Sequence, residues 1–304
     1  MDFLASHSSL LQIMAINALL ALSIYFTLAC GQLSLANAAF MGLGAYTSAV
    51  LTIERGWPFP AVLLVATAAP MAVALVVGLP TLRLRGVFLA IATIGLGEVL
   101  RVVIVNLRAT GGAEGISRIP VKTQNWQLAA ALAAALYVGW RLRGSRMGYA
   151  FEAIREDESA ARTMGVNTTF YKLVAFVLGA ALAGLAGGLK AHLFRAITPG
   201  DYGFAQATDI LTFAIVGGSL VFLGPVLGAA LLTLLPELLR YVGLEAGWPR
   251  LLLNGVILLL VILFLPNGLV SLFAGRRARA VPLSSSDEIP EERRAEADVG
   301  AAPG

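Results

Sequence analysis

Long apolar runs dominate this chain, and the short polar stretches between them set its organisation. A helix needs about 20 apolar residues to cross the hydrocarbon core of a bilayer. By that measure the runs 10–30, 38–53, 61–79, 87–107, 127–140, 173–194, 210–223, 225–239 and 251–265 each predict a membrane span. The second run is glycine-rich and can begin at Leu33, and the last can continue to Phe273. The fifth is short, about 21 Å by helical rise, so Lys122 and Arg141 are expected to snorkel at its ends. The seventh and eighth are joined without a charge, and they read equally as two spans or as the arms of a re-entrant hairpin. The pattern predicts an all-α polytopic membrane protein with about nine transmembrane helices, eight to ten, over residues 1–275.

The longest polar interruption is 141–172. It carries Arg141, Arg143, Arg146, Arg155, Arg162 and Lys172 beside Glu152, Glu156, Asp157 and Glu158. Basic residues concentrate in short cytoplasmic loops. Arg83 and Arg85 in the turn before the fourth span, and Arg276, Arg277 and Arg279 after the ninth, fall on the same side. This predicts an outside N-terminus with 141–172 inside. Within the loop, 152–165 has good helix formers, no proline and a closing glycine, so one helix is expected there. Ala153, Ile154, Ala160, Ala161 and Met164 give it small or apolar surface, suited to docking on a soluble partner. Residues 276–304 are charged and poor in apolar residues, and a disordered cytoplasmic tail is expected.

Composition agrees with the pattern. Of 304 residues, 58% are hydrophobic and 13% charged, against roughly 25% charged in soluble chains. The single cysteine, Cys30, excludes an internal disulfide, and His7 and His192 form no metal-ligand pattern. No phosphate-cradling Gly-x-x-x-x-Gly-Lys loop is present, so ATP hydrolysis through that motif is not expected of this chain. Paired glycines such as Gly184 and Gly188 read as helix-packing faces. Glu98 and Arg101 lie within the fourth run. Three residues apart on a helix, they can pair. They are either a satisfied internal pair or a polar lining of a pathway.

Three stretches carry a resemblance. The run from Glu152 through Ser159-Ala160-Ala161 to Gly165 resembles the coupling loop of ABC importer permeases, most closely in the branched-chain amino acid transporter family. The general pattern there is Glu-Ala-Ala, three residues, then Gly; here Ser159 stands at the Glu position. GQLSLANAAFMGLGAY over 31–46 and TGGAEG over 110–115 are also similar to that family. The resemblance implies a multi-pass permease subunit of the bacterial inner (plasma) membrane, surrounded by membrane lipid. It implies a second related permease, two ATP-binding cassette subunits that hydrolyse the ATP, an extracytoplasmic substrate-binding protein and a small amino-acid substrate. It implies no cofactor and no nucleic acid, and transport rather than enzymatic chemistry. Coupling to the ATPases would fall to Glu152, Arg155, Glu156, Asp157, Ala160, Ala161, Arg162 and Gly165, with the small residues entering a cleft and the charges setting register. Two alternatives stay open: a urea or short-amide permease of the same family, and an ion-coupled secondary carrier using Glu98 as its deep carboxylate.

Overall fold

The computed structural model describes residues 2–218 and 221–241, with side chains over 9–218 and 221–237. The expected ninth span and the 276–304 tail lie outside the described residues. Among the described residues the regular elements are ten α-helices and three short 3-10 turns, with one isolated bridge between Ile116 and Ile197. The helices are α1 (Asp2–Ala29), α2 (Asn37–Arg55), α3 (Phe59–Thr81), α4 (Val87–Asn106), α5 (Asn125–Arg143), α6 (Arg146–Glu156), α7 (Glu158–Thr163), α8 (Thr168–Phe194), α9 (Phe204–Gly217) and α10 (Gly224–Tyr241). Four of them, α1 from Ser9, α3, α4 and α8, are long and apolar enough to cross a membrane. The fifth expected span is longer than its apolar run, because α5 extends through Arg143.

α8 is the central post, packed against α1, α2 and α3. Small residues make this possible. A Cβ added at Gly187 would lie 1.9 Å from the Met41 carbonyl oxygen, and one at Gly44 would lie 2.2 Å from the Gly184 carbonyl oxygen. The backbones of α2 and α8 therefore touch, as association in lipid favours. α4 lies at the periphery, with Val99, Val102 and Val103 exposed.

Irregular backbone at membrane depth must be satisfied inside the protein. Between α1 and α2 the chain turns at Gly31 and runs without helix to Ala36, with Gln32, Ser34 and Ala36 buried. The Leu35 amide donates to Thr93 Oγ1 at 3.0 Å, and Asn37 Nδ2 donates to Ser23 Oγ at 2.8 Å. His192 is fully buried at the far end of α8. Its Nδ1 donates to the Pro120 carbonyl at 2.9 Å, which leaves Nε2 to accept from Thr52 Oγ1 at 3.3 Å. It is a satisfied core histidine.

α9 and α10 form a helical hairpin, packed on each other and on α1. With 14 residues, α9 is only about 21 Å long. Phe222 in the join packs on Gly139 of α5 and edge-on to Tyr25, ring centroids 5.5 Å apart. The hairpin tip thus reaches close to the α5 end that enters the 141–172 loop.

If the α2–α8 contact sets the bundle, Gly187→Val should cost at least about 2 kcal/mol. Folded yield and melting temperature in detergent should fall together. Gly95→Val, at a site with nothing within 4 Å of an added Cβ, should leave both near the parent values. Equal behaviour of the two variants would refute the packing argument.

Candidate functional site

The 141–172 loop is built from two helices. The single helix expected over 152–165 is corrected to α6 and α7, broken at Asp157, whose backbone is extended (φ −152, ψ 108). The reason is local. The Asp157 carboxylate accepts hydrogen bonds from the amides of Ser159 at 2.7 Å and Ala160 at 3.0 Å. An aspartate that caps a new helix start competes with continuing the old one. Those two bonds hold its carboxyl below the usual aspartate range. α6 is capped in the same way by Ser145, and α8 by Asn167. After α7 the chain turns at Gly165, at φ +85, a conformation open mainly to glycine.

One side of the loop packs on the protein's own helices. Phe151, Ile154 and Ala161 are buried in a cluster with Cys30 at the end of α1 and Ala175 on α8. Burial pushes the Cys30 thiol up to about 12, so it is inert. Gly31 abuts the Arg155 backbone. The remaining anchor is electrostatic. Glu158 accepts from Lys172 Nζ at 2.7 Å, Arg162 Nη2 at 3.1 Å and Arg85 Nε at 3.2 Å. Burial opposes the charge on Glu158. The hydrogen bond and charge of Lys172, joined by Arg85 and Arg162, outweigh that and hold its carboxyl below the glutamate range.

The predicted residues divide by environment. Ala161 faces inward, as a packing residue. Glu156, Ala160, Arg162 and Gly165 are exposed, and the Met164 side chain beside them is 84% exposed. Arg155 is bound to Glu156 at 2.9 Å and Glu152 at 3.5 Å. Glu152 and Arg155 also line a cleft of about 540 Å³ with Tyr25, Trp140, Arg141 and Arg143.

Glu98 and Arg101 form the expected pair, Arg101 Nε to Glu98 Oε2 at 2.7 Å, both side chains partly exposed. They border small hollows shared with Ala39, Gly97 and Tyr202, apart from the loop. From the sequence, Glu98 is the deep carboxylate of the carrier alternative. The structure adds Asp209, inside α9. It also adds the Glu158 hub. Arg85 and Lys172 were visible as basic residues beside apolar runs, but no local signal names Glu158 as their common partner.

Residues 7–265 match the family described as branched-chain amino acid transport system / permease component. The chain belongs to that family. It is a multi-pass protein of the inner membrane. Within the family it is 33% identical, over 275 residues, to the high-affinity branched-chain amino acid transport system permease protein LivM of Salmonella typhimurium (strain LT2). That alignment takes in 79% of this chain and 64% of the relative; LivM of Escherichia coli (strain K12) gives the same figures. The chain thus spans just under two thirds of the length of these relatives. It is also 32% identical over 134 residues to the autoinducer 2 import system permease protein LsrC of Escherichia coli O9:H4 (strain HS), covering 42% of this chain and 39% of the relative. No solved structure matches the chain.

Glu158→Gln tests the hub. A folded-state pKa below the unfolded one stabilises above the ordinary glutamate value, near 4.5. That stabilisation is lost as pH falls through the lower folded value. The variant should therefore be less stable by on the order of 1 kcal/mol or more near neutral pH. The gap should close as pH falls below the ordinary glutamate value and through that lower folded one. Thermal unfolding of both proteins across pH measures this; a gap that persists unchanged into acid would count against the hub.

Proposed function

We propose that the chain is the membrane-spanning permease subunit of an ABC importer for branched-chain amino acids. In this reading the 141–172 loop docks on an ATP-binding cassette subunit. A second related permease, a second ATPase and an extracytoplasmic binding protein complete the machine, and ATP hydrolysis belongs to the ATPases. The names of the LivM relatives support the substrate class. The observation that carries the coupling role is the two-sided build of the loop. One side is fixed to α1 and α8 by Ile154, Ala161 and Glu158, and the other presents Glu156, Ala160, Arg162, Met164 and Gly165 to solvent.

An exposed methionine among charged residues suits an apolar anchor with a polar rim. Because the buried side is anchored, force on the exposed side is carried into α8. A partner that binds one orientation of the bundle more tightly shifts it toward that orientation. An ion-coupled carrier, the other class open from sequence, gains nothing from the family. The carboxylate it would use, Glu98, is held by Arg101.

The test uses the complex purified with its natural partners and reconstituted in vesicles. Met164→Asp alters only the exposed side and should leave folded yield unchanged. It should lower ATP-dependent leucine uptake by about tenfold or more and weaken ATPase co-purification. Gly165→Val, which forces a β-branched residue into positive φ, should do the same through the turn. Full uptake by both variants, with ATPases still bound, would remove the coupling assignment.

A further inference from the structure

α9 is the helix that fits a lipid-facing role least. Ala205, Thr208, Asp209, Thr212 and Ile215 recur at the spacing of one helix face, and each is exposed or half-exposed. Ala207, Ile210, Ala214 and Gly217 on the other face are buried. The open face is polar over its first two turns and carries a carboxylate. A charge at membrane depth belongs on an aqueous cavity or a protein partner, not on hydrocarbon.

A cation stands close by. Lys190 on α8 is 18 residues beyond Lys172, about 27 Å further along the helix, so it lies toward the end away from the loop. Its Nζ donates to Gln206 Oε1 at 3.4 Å and sits 5.8 Å from the Tyr202 ring centre and 6.0 Å from that of Phe194. Gln206 stands one turn before Asp209 on α9, and Asp201 lies just before that helix; among the described residues Lys190 makes a salt bridge with neither aspartate. An ammonium tied to α9 at Gln206 and a carboxylate one turn further on are thus unjoined. On the other flank of α9, Phe204 and Ala207 border the hollow that contains Glu98.

We propose that this face of α9 lines the path of a zwitterionic amino acid, with Asp209 meeting its ammonium group and Lys190 its carboxylate. Two opposite charges at one helix face, left unjoined, suit a small molecule that carries both. Gln206 keeps Lys190 oriented, and Thr208 and Thr212 continue the polar lining toward the hairpin tip. The ligand assignment rests on the amino-acid importer reading above; the aqueous lining rests on α9 alone.

The experiment uses the assembled, reconstituted complex in a Cys30→Ser background. Thr208→Cys and Thr212→Cys should react with a small membrane-impermeant methanethiosulfonate, and Val102→Cys on the exposed apolar face of α4 should not. Loaded binding protein with ATP and leucine should slow the reaction. Separately, Asp209→Asn and Lys190→Gln should each lower maximal leucine uptake by about tenfold, with complex assembly retained, while Asp209→Glu keeps most of it. Unreactive cysteines at both positions would show the face sealed against another subunit and overturn the proposal. Reactive cysteines with undiminished uptake in both charge variants would overturn the assigned roles. Reactive cysteines in a complex that imports no amino acid would overturn the ligand assignment together with the importer reading, and support the aqueous lining.

Discussion

The backbone contact between α2 and α8 is the constraint on which the rest depends. In lipid no hydrophobic force drives one apolar helix onto another, so close approach and satisfied polar groups must do so. Gly44 meets α8 at Gly184, and Gly187 meets α2 at Met41. With α8 fixed, α3 packs on its second side and α1 on its third. In the non-helical stretch between α1 and α2, Thr93 accepts from the Leu35 amide, and at the start of α2 Ser23 accepts from Asn37.

The loop extends that arrangement beyond the long apolar helices. Its helices do not hang from flexible connections. Ile154 and Ala161 share a cluster with Ala175 of α8, and Lys172, about one and a half turns past the α8 cap, holds Glu158. Three capping side chains, Ser145, Asp157 and Asn167, fix where α6, α7 and α8 begin. The loop's shape is set by short-range hydrogen bonds and its attachment by long-range ones.

The sequence showed the all-α membrane architecture because the long apolar helices are each a run of one character. It also showed Glu98 and Arg101 as a pair, since three residues on a helix is a fixed geometry. What it hid was non-local or boundary-dependent. Asp157 read as one more charge in a continuous helix, because capping depends on backbone conformation rather than composition. Ala161 read as docking surface, because a small residue looks the same whether it faces a partner or its own core. Asp209 falls just before the apolar run that starts at Ile210, whereas α9 begins at Phe204 and takes it in. Arg85 and Glu158 are far apart in sequence, and only folding joins them.

The three ties at Glu158 are unequal in strength. Lys172 contributes a side chain only 10% exposed, whereas that of Arg85 is 60% exposed. Ion pairs open to water contribute about 0–1 kcal/mol, while sheltered ones resist breaking. The turn between α3 and α4 is therefore joined to the loop by a bond that slips, and α8 by one that holds. Under the coupling role proposed above, a displaced loop would carry α8 with it, while α4, with its Glu98–Arg101 pair, would be reached only through the exposed Arg85. The difference between one buried lysine and one exposed arginine would then decide which helix follows the loop.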